Sequence, residues 1–226
     1  LVSDRLAAAE TMPPPKSNQI QDKPQKSGKS LLLGKKEEFA NVLRSVKWKF
    51  GQISVCWENP EAAQSNELTL IRQSIADTWE KHSGVRFSGW GSCAEARTSK
   101  VRVLLADRDP EVAGLGTKIS EKPNGVILNI IFQQDPYLKK RCTQNQNTRT
   151  QCIRGMAIHE FGHVLGFAHE QNREDTPKKW CKDYEDGTTG DWTSTVWDPD
   201  SVMNYCSSVY EGPQGWPMRQ TLSETD

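Results

Sequence analysis

Three of the four histidines in this chain lie in one short stretch, HEFGHVLGFAHE. His159 and His163 are four residues apart, so a helix over residues 154–165 places both rings on one face. Gly166 follows, and glycine adopts the left-handed conformation that ends a helix and turns the chain at little cost. The turn returns His169 towards the other two rings. The stretch therefore predicts three imidazoles that converge on one point.

Three converging imidazoles with an open fourth position are typical of catalytic zinc, whereas structural zinc is closed by four protein ligands. Glu160 lies beside the first histidine, rotated by about a quarter turn of the helix. There it flanks the open side of the metal and can take a proton from water. The pattern predicts metal-assisted hydrolysis with Glu160 as general base. The alternative is a core helix with satisfied histidines, which the complete HExxHxxGxxH pattern disfavours.

This elongated motif resembles that of the metzincin metalloproteases, in which a methionine-containing turn follows the zinc ligands. SVMNY at residues 201–205 is similar to that turn, with Met203 expected beneath the metal. Glu170 after the third histidine and Tyr205 after the methionine make the chain most similar to the astacin family. The resemblance implies that Tyr205 ligates resting zinc and later stabilises the oxyanion. The alternatives are a plain core methionine and a buried aromatic residue that makes a hydrogen bond.

The resemblance also implies an α+β fold: a twisted, mainly parallel sheet with an antiparallel edge strand, an active-site helix, a long backing helix and an irregular C-terminal subdomain. Periodicity independently predicts strands at 52–58 and 100–107 and a long amphipathic helix at 66–84. A third apolar run covers residues 125–132. In metzincins such a strand forms the cleft rim that pairs with an extended substrate. A buried strand without substrate contact is the open alternative.

A chain of 226 residues is long enough for one domain with a real core. We expect residues 1–46 to form an N-terminal extension and 47–226 the catalytic domain, with an N-terminal subdomain to about residue 166. Residues 11–30 are rich in Pro, Lys, Gln and Ser, so this stretch is either a pro-segment that inhibits the enzyme or a flexible leader. It lacks the FxGD-like motif of astacin zymogens. Ser223 is expected to cap a final helix that the chain stops short of.

The charge balance and the cysteine content of the chain limit which partners and which compartment we expect for the protein. Acidic and basic residues number 29 each, so no global field favours nucleic acid. No apolar run reaches the length of a membrane span. Six scattered cysteines fit disulfides better than metal ligation, which indicates a secreted, extracellular or periplasmic protein; buried free thiols are the alternative. The expected pairs are Cys56–Cys93, Cys142–Cys152 and Cys181–Cys206.

The loop at 172–200 contains three tryptophans, which either wall the cleft or pin a lid. Its acidic stretch, 183–187, lacks the alternation of an EF-hand, which disfavours calcium. Arg219 either selects an acidic substrate side chain or is a surface arginine.

Two classes of function remain. The first is a secreted zinc endopeptidase acting on extended peptides, including a latent zymogen form, and the second is a silent metal-binding adhesion or interaction module, in which Glu160 has no physical use.

Overall fold

A five-stranded sheet is the framework of the part of the chain that the computed structural model describes. The chain divides into two compact units, Leu1–Lys35 and Lys36–Asp226, and every described residue belongs to the second. The described residues are 41–49, 51–96, 98–177, 187, 190–191, 196–205 and 219–226. The strands are β1 (Gln52–Trp57), β2 (Arg86–Ser92), β3 (Val101–Leu105), β4 (Glu111–Val112) and β5 (Val126–Leu128).

The sheet order is β2-β1-β3-β5-β4, and only β4 runs antiparallel to its neighbour among these strands. This confirms the predicted mainly parallel sheet with an antiparallel edge strand. The strands predicted at 52–58 and 100–107 correspond to β1 and β3. The sequence analysis missed β2, whose segment RFSGWGS has two glycines and a register shift, with positive φ at Gly89 and Trp90. That segment has no regular apolar alternation to detect.

The expected cleft-rim strand at 125–132 is wrong in its position. β5 lies between β3 and β4, and all three of its residues are buried. The buried-strand alternative is therefore correct, since an interior strand has no free edge for a substrate. The edge is formed by β4, a strand of only two residues, which was too short to be seen in the sequence.

Two helices pack together behind the sheet. The backing helix α1 (Ser65–Ile75) continues as a π-helical segment at Ala76–Glu80 and confirms the predicted helix at 66–84. A short α2 (Pro136–Cys142) precedes α3 (Gln146–Leu165), the predicted motif helix. α3 starts earlier than expected because Asn145 caps it, its side-chain oxygen accepting the N–H of Thr148 at 3.0 Å. Trp79 donates its indole N–H to Ile158 O at 2.8 Å and fixes the two long helices together. Short 3₁₀ turns lie at Arg44–Val46, Pro60–Ala62, Gly116–Ile119 and Glu170–Asn172.

Two of the three predicted disulfides are present, Cys56–Cys93 and Cys142–Cys152. The third pair, Cys181–Cys206, lies outside the described residues. At the C-terminal end Ser223 does cap a turn, since its hydroxyl accepts the N–H groups of Thr225 and Asp226 at 3.2 Å each. The described residues 219–226 form no helix. No helix among the described residues combines the length and the apolar character that crossing a bilayer requires.

Candidate metal centre and active site

The three motif histidines meet at one buried point. His159 and His163 project from one face of α3, and Gly166, with φ of +105°, ends the helix. The chain then turns back, with Phe167 N–H donating to Gly162 O at 3.0 Å. The Nε2 atom of His169 lies 3.2 Å from that of His159 and 3.1 Å from that of His163. The predicted convergence of the three rings is thus present.

Backbone carbonyls fix the orientation of the first two rings. His159 Nδ1 lies 2.8 Å from Val202 O, and His163 Nδ1 lies 2.7 Å from Phe167 O. A carbonyl can only accept, so each Nδ1 carries the proton and each Nε2 directs a lone pair into the centre. Burial lowers the pKa of His159 well below its usual value and that of His163 to about 3, which keeps both rings neutral. Neutral imidazoles with inward lone pairs fit zinc.

Glu160 lies beside this centre and is only 2% exposed. It borders an open cavity of about 380 Å³ together with two of the histidines, the edge strand and the tyrosine of the methionine turn. Burial, and to a smaller extent the negative charge of Glu111, raise the pKa of the Glu160 carboxyl to about 8. The lining residues that matter chemically are Glu111, Val112, Glu160, His163, His169 and Tyr205.

Metal uptake is expected to displace a proton from Glu160. With a pKa of about 8 this carboxyl is about nine-tenths protonated at pH 7 in the metal-free protein. A nearby divalent cation favours the carboxylate, so its pKa falls and the proton leaves. Calorimetric zinc titrations in two buffers of different ionisation enthalpy should show roughly one more proton released by the parent protein than by Glu160→Gln. Equal release by the two proteins would contradict the raised pKa.

The methionine turn packs directly against α3. Met203 is fully buried, and its carbonyl accepts the N–H of Glu170 at 3.0 Å. A Cβ atom added to Gly162 would lie 2.4 Å from Met203 Sδ and 3.0 Å from the Trp79 ring. α3 can approach Met203 this closely only because residue 162, between His159 and His163, has no side chain.

Gly162→Ala is therefore expected to destabilise the fold. Alanine is more stable than glycine in a helix interior by up to about 1 kcal/mol, but overpacking of the core against Met203 costs about 1–3 kcal/mol. We expect a net loss in the free energy of unfolding, measured by urea denaturation. Gly84→Ala is the control, because a Cβ there meets nothing within 4 Å. A loss of the same size in both variants would show that the clash is not the cause.

Tyr205 follows the turn and reaches the histidines. Its Oη lies 2.9 Å from His159 Nε2, and its ring stacks on the His159 ring with centroids 4.8 Å apart. The structure therefore brings together all five residues selected from the sequence. Their roles as ligands, base and oxyanion donor stay predictions.

Asn41 holds His169 in place and was missed by the sequence analysis. Its side-chain N–H donates to His169 O at 2.8 Å, its carbonyl accepts the N–H of Ala168 at 2.8 Å, and its own N–H donates to Glu170 Oε2 at 3.3 Å. These bonds tie three consecutive residues around His169 to a segment assigned to the extension. The boundary at residue 46 stays a prediction, and these contacts argue for an earlier start of the domain.

A buried polar network extends from Glu170. Its carboxylate accepts the N–H of Asp198 at 3.0 Å and lies 3.4 Å from the guanidinium of Arg173. Burial raises the pKa of Glu170 to about 7, although these partners oppose the shift. Asp226 braces the methionine turn, since its carboxylate accepts the N–H of Val202 at 2.8 Å. Only the position of Glu170 after His169 gave a sequence signal for this network.

The remaining sequence interpretations fall partly outside the described residues. Trp180, Trp192 and the acidic stretch 183–186 lie there, so the wall, lid and calcium interpretations stay untested. Arg219 forms an ion pair with Asp200, as the surface-arginine interpretation expects. Its selection of an acidic substrate side chain stays a prediction.

Comparison with known proteins agrees with the motif and the fold. The family model Astacin (Peptidase family M12A) matches residues 138–180, which contain all three histidines and Glu160. Over these residues the chain is similar to the astacin family. Protein SpAN of Strongylocentrotus purpuratus is 25% identical over 142 residues, which are 63% of this chain and 19% of SpAN. The chain thus spans about a fifth of the length of that relative.

The astacin-like fold has solved counterparts. The structure of myroilysin superposes with a TM-score of 0.52 and 21% identity, covering 82% of this chain and 93% of myroilysin. High choriolytic enzyme 1, a hatching enzyme zinc-protease of Oryzias latipes, gives a TM-score of 0.49 at 17% identity over 81% of this chain and 93% of that one. The extended histidine motif is similar to that of zinc metalloproteases, and with the three converging histidines the cofactor it implies is zinc.

Proposed function

We propose that this chain is a secreted zinc-dependent endopeptidase. The observation that carries the proposal is the convergence of three histidine nitrogens beside Glu160, at an open cavity bordered by a sheet edge. His159, His163 and His169 hold the ion. When bound, zinc supplies a Lewis acid that polarises a carbonyl and makes water more acidic. The remaining chemistry belongs to the side chains of the chain.

Glu160 moves the proton. Its carboxylate takes a proton from the attacking water and returns it to the leaving amine, so the same group acts as base and then as acid. A buried carboxylate has few competing water molecules, and the raised pKa in the metal-free protein shows that its surroundings resist the negative charge. A cation held by the three histidines would offset that resistance and bring the pKa of Glu160 into the range that proton transfer requires.

Tyr205 stabilises the oxyanion. Its hydroxyl lies within hydrogen-bond distance of the first ligand, so it reaches the same centre that receives the scissile carbonyl. A donor held beside a developing negative charge in a site with little water contributes more than it does in solution. Its ring is stacked on His159, which limits the reorganisation that the hydroxyl needs.

The substrate is an extended peptide that pairs with β4. This strand lines the cavity beside Glu160. Among the described strands it pairs only with β5, on one of its two sides. An edge strand presents unpaired N–H and C=O groups, which an extended backbone satisfies by adding a strand. The substrate-binding role predicted for residues 125–132 is therefore transferred to β4.

Two features bear on the location and control of activity. The disulfides Cys56–Cys93 and Cys142–Cys152 support an oxidising compartment outside the cytosol. Inhibition by the N-terminal extension stays a hypothesis. Cleavage by the full chain and by a chain that begins at Lys36 tests it, because the shorter chain keeps the whole second unit. Equal rates of cleavage would rule inhibition out.

Digestion of an unfolded protein tests the proposed function. We expect zinc-loaded protein to cleave reduced casein at internal bonds, a chelator to stop cleavage, and added zinc to restore it. Mass spectrometry of the fragments identifies the cleaved bonds. Zinc-loaded protein that cleaves nothing, in both the full and the Lys36 forms, would overturn the endopeptidase in favour of a metal-binding module.

A further inference from the structure

Gln171 lies two residues after the third histidine and outside the zinc motif. It is 3% exposed and belongs to the 3₁₀ turn Glu170–Asn172. Its side-chain Oε1 accepts the backbone N–H of Tyr205 at 3.1 Å. Gln171, which lies 34 residues before Tyr205 in the sequence, thus holds the backbone of the residue that we propose stabilises the oxyanion.

The orientation of this amide is determined by its partner. A backbone N–H can only donate, so the oxygen of Gln171 must face Tyr205 and the NH₂ group must point elsewhere. That buried Nε2 has no hydrogen-bond partner among the described residues. An unsatisfied buried donor costs about 1–3 kcal/mol. Leucine or methionine would fill a similar volume without this cost, so the glutamine is explained by the bond that its oxygen makes.

A second bond ties the same two segments together. Glu170 donates its N–H to Met203 O at 3.0 Å, two residues before Tyr205. The two bonds bracket residues 203–205 against the turn that follows His169. The bond from Gln171 fixes the Tyr205 backbone, and the stacked His159 ring orients the Tyr205 side chain. Together these contacts set the position of the Tyr205 hydroxyl.

We propose that Gln171 is a positioning residue for Tyr205. Its carboxamide oxygen sets the Tyr205 backbone so that the hydroxyl reaches the metal centre. This inference rests on the proposed function for the role of Tyr205 in catalysis, but the contact between the hydroxyl and His159 is present without it. Loss of the acceptor affects kcat more than KM, because the hydroxyl acts on the charge that develops in the transition state.

Two substitutions separate the acceptor from the donor. Gln171→Met removes both and is close in shape, whereas Gln171→Glu keeps an oxygen that can accept from Tyr205 in either protonation state and replaces the unpartnered NH₂ group. We expect Gln171→Met to lower kcat about 10-fold or more with little change in KM, and Gln171→Glu to retain most of the parent kcat. Urea denaturation of both variants establishes that the measured chains are folded.

A double-mutant cycle with Tyr205→Phe tests whether the effect passes through the hydroxyl. In that background Gln171→Met should lower kcat no further, because the group it positions is gone. An equal loss of kcat in both backgrounds, or an unchanged kcat in Gln171→Met, would overturn the proposal.

The last measurement does not depend on activity. In metal-free protein the His159 Nε2 resonance reports its contact with Tyr205, so Gln171→Met should shift it towards the value in Tyr205→Phe. An unshifted resonance would also overturn the proposal. If the parent chain cleaves no peptide, the proposed function fails, while this resonance still decides whether Gln171 positions Tyr205.

Discussion

Replacing Glu160 by glutamine should lower peptide hydrolysis by about 10²–10⁴-fold while one zinc ion per chain is retained. Glutamine matches the shape of glutamate but cannot take a proton from water. The three histidines proposed to hold the ion are untouched, and the rings of His159 and His163 are oriented by Val202 and Phe167 rather than by Glu160. The checks are kcat on a quenched fluorescent peptide and metal content by atomic emission.

The matched control is Glu61→Gln, the same substitution at an exposed residue outside the cavity. It should leave both zinc content and kcat unchanged. Full activity in Glu160→Gln with zinc bound would remove this residue from the role of base. Loss of zinc from that variant would instead show that its carboxylate helps to hold the ion.

Removal of residues 36–46 should destabilise the domain rather than release activity. Leu43 and Val46 are buried in a small cluster with Leu115 and Ala168. Burial of one such aliphatic side chain is worth about 1.5–3 kcal/mol, and each hydrogen bond of Asn41 adds about 1 kcal/mol. A chain that begins at Lys47 should therefore lose at least about 3 kcal/mol of unfolding free energy relative to one that begins at Lys36.

Urea denaturation of the two zinc-free chains measures this difference, and zinc titration follows the effect on His169. We expect the chain that begins at Lys47 to bind zinc more weakly, because the bonds from Asn41 to residues 168–170 are missing. Equal stability of the two chains would mean that the segment contributes nothing to the domain. A cut at residue 47 is accordingly a poor test of inhibition, since it removes structure together with any inhibitor.

The site was largely predictable because its signals are local. Two ligands share one helix face, and the turn at Gly166 depends on a single residue, so sequence spacing nearly determines where His159, His163 and Glu160 lie. The methionine turn was found through its resemblance to a family and not through spacing. Its contact with α3 at Gly162 could not be derived from the sequence, because it joins segments about 40 residues apart.

The errors concern relations between distant segments. An apolar run shows that residues 125–132 are buried, but it does not show which strand lies beside them, so the cleft rim was placed on β5 instead of β4. Asn41 lies 128 residues from His169, and no pattern in the sequence around it predicts a hydrogen bond of that range. Gln171 was hidden for the same reason, since its partner lies 34 residues away.

The three histidines of the proposed metal site differ in how they are supported. His159 and His163 share the backbone hydrogen bonds of α3, whereas His169 follows the helix and depends on the bonds from Asn41 and Glu170. Local opening starts where few buried contacts resist it. Escape of a bound ion should therefore begin with detachment of His169. The residence time of the ion would then depend on the strength of the bonds that hold this one segment.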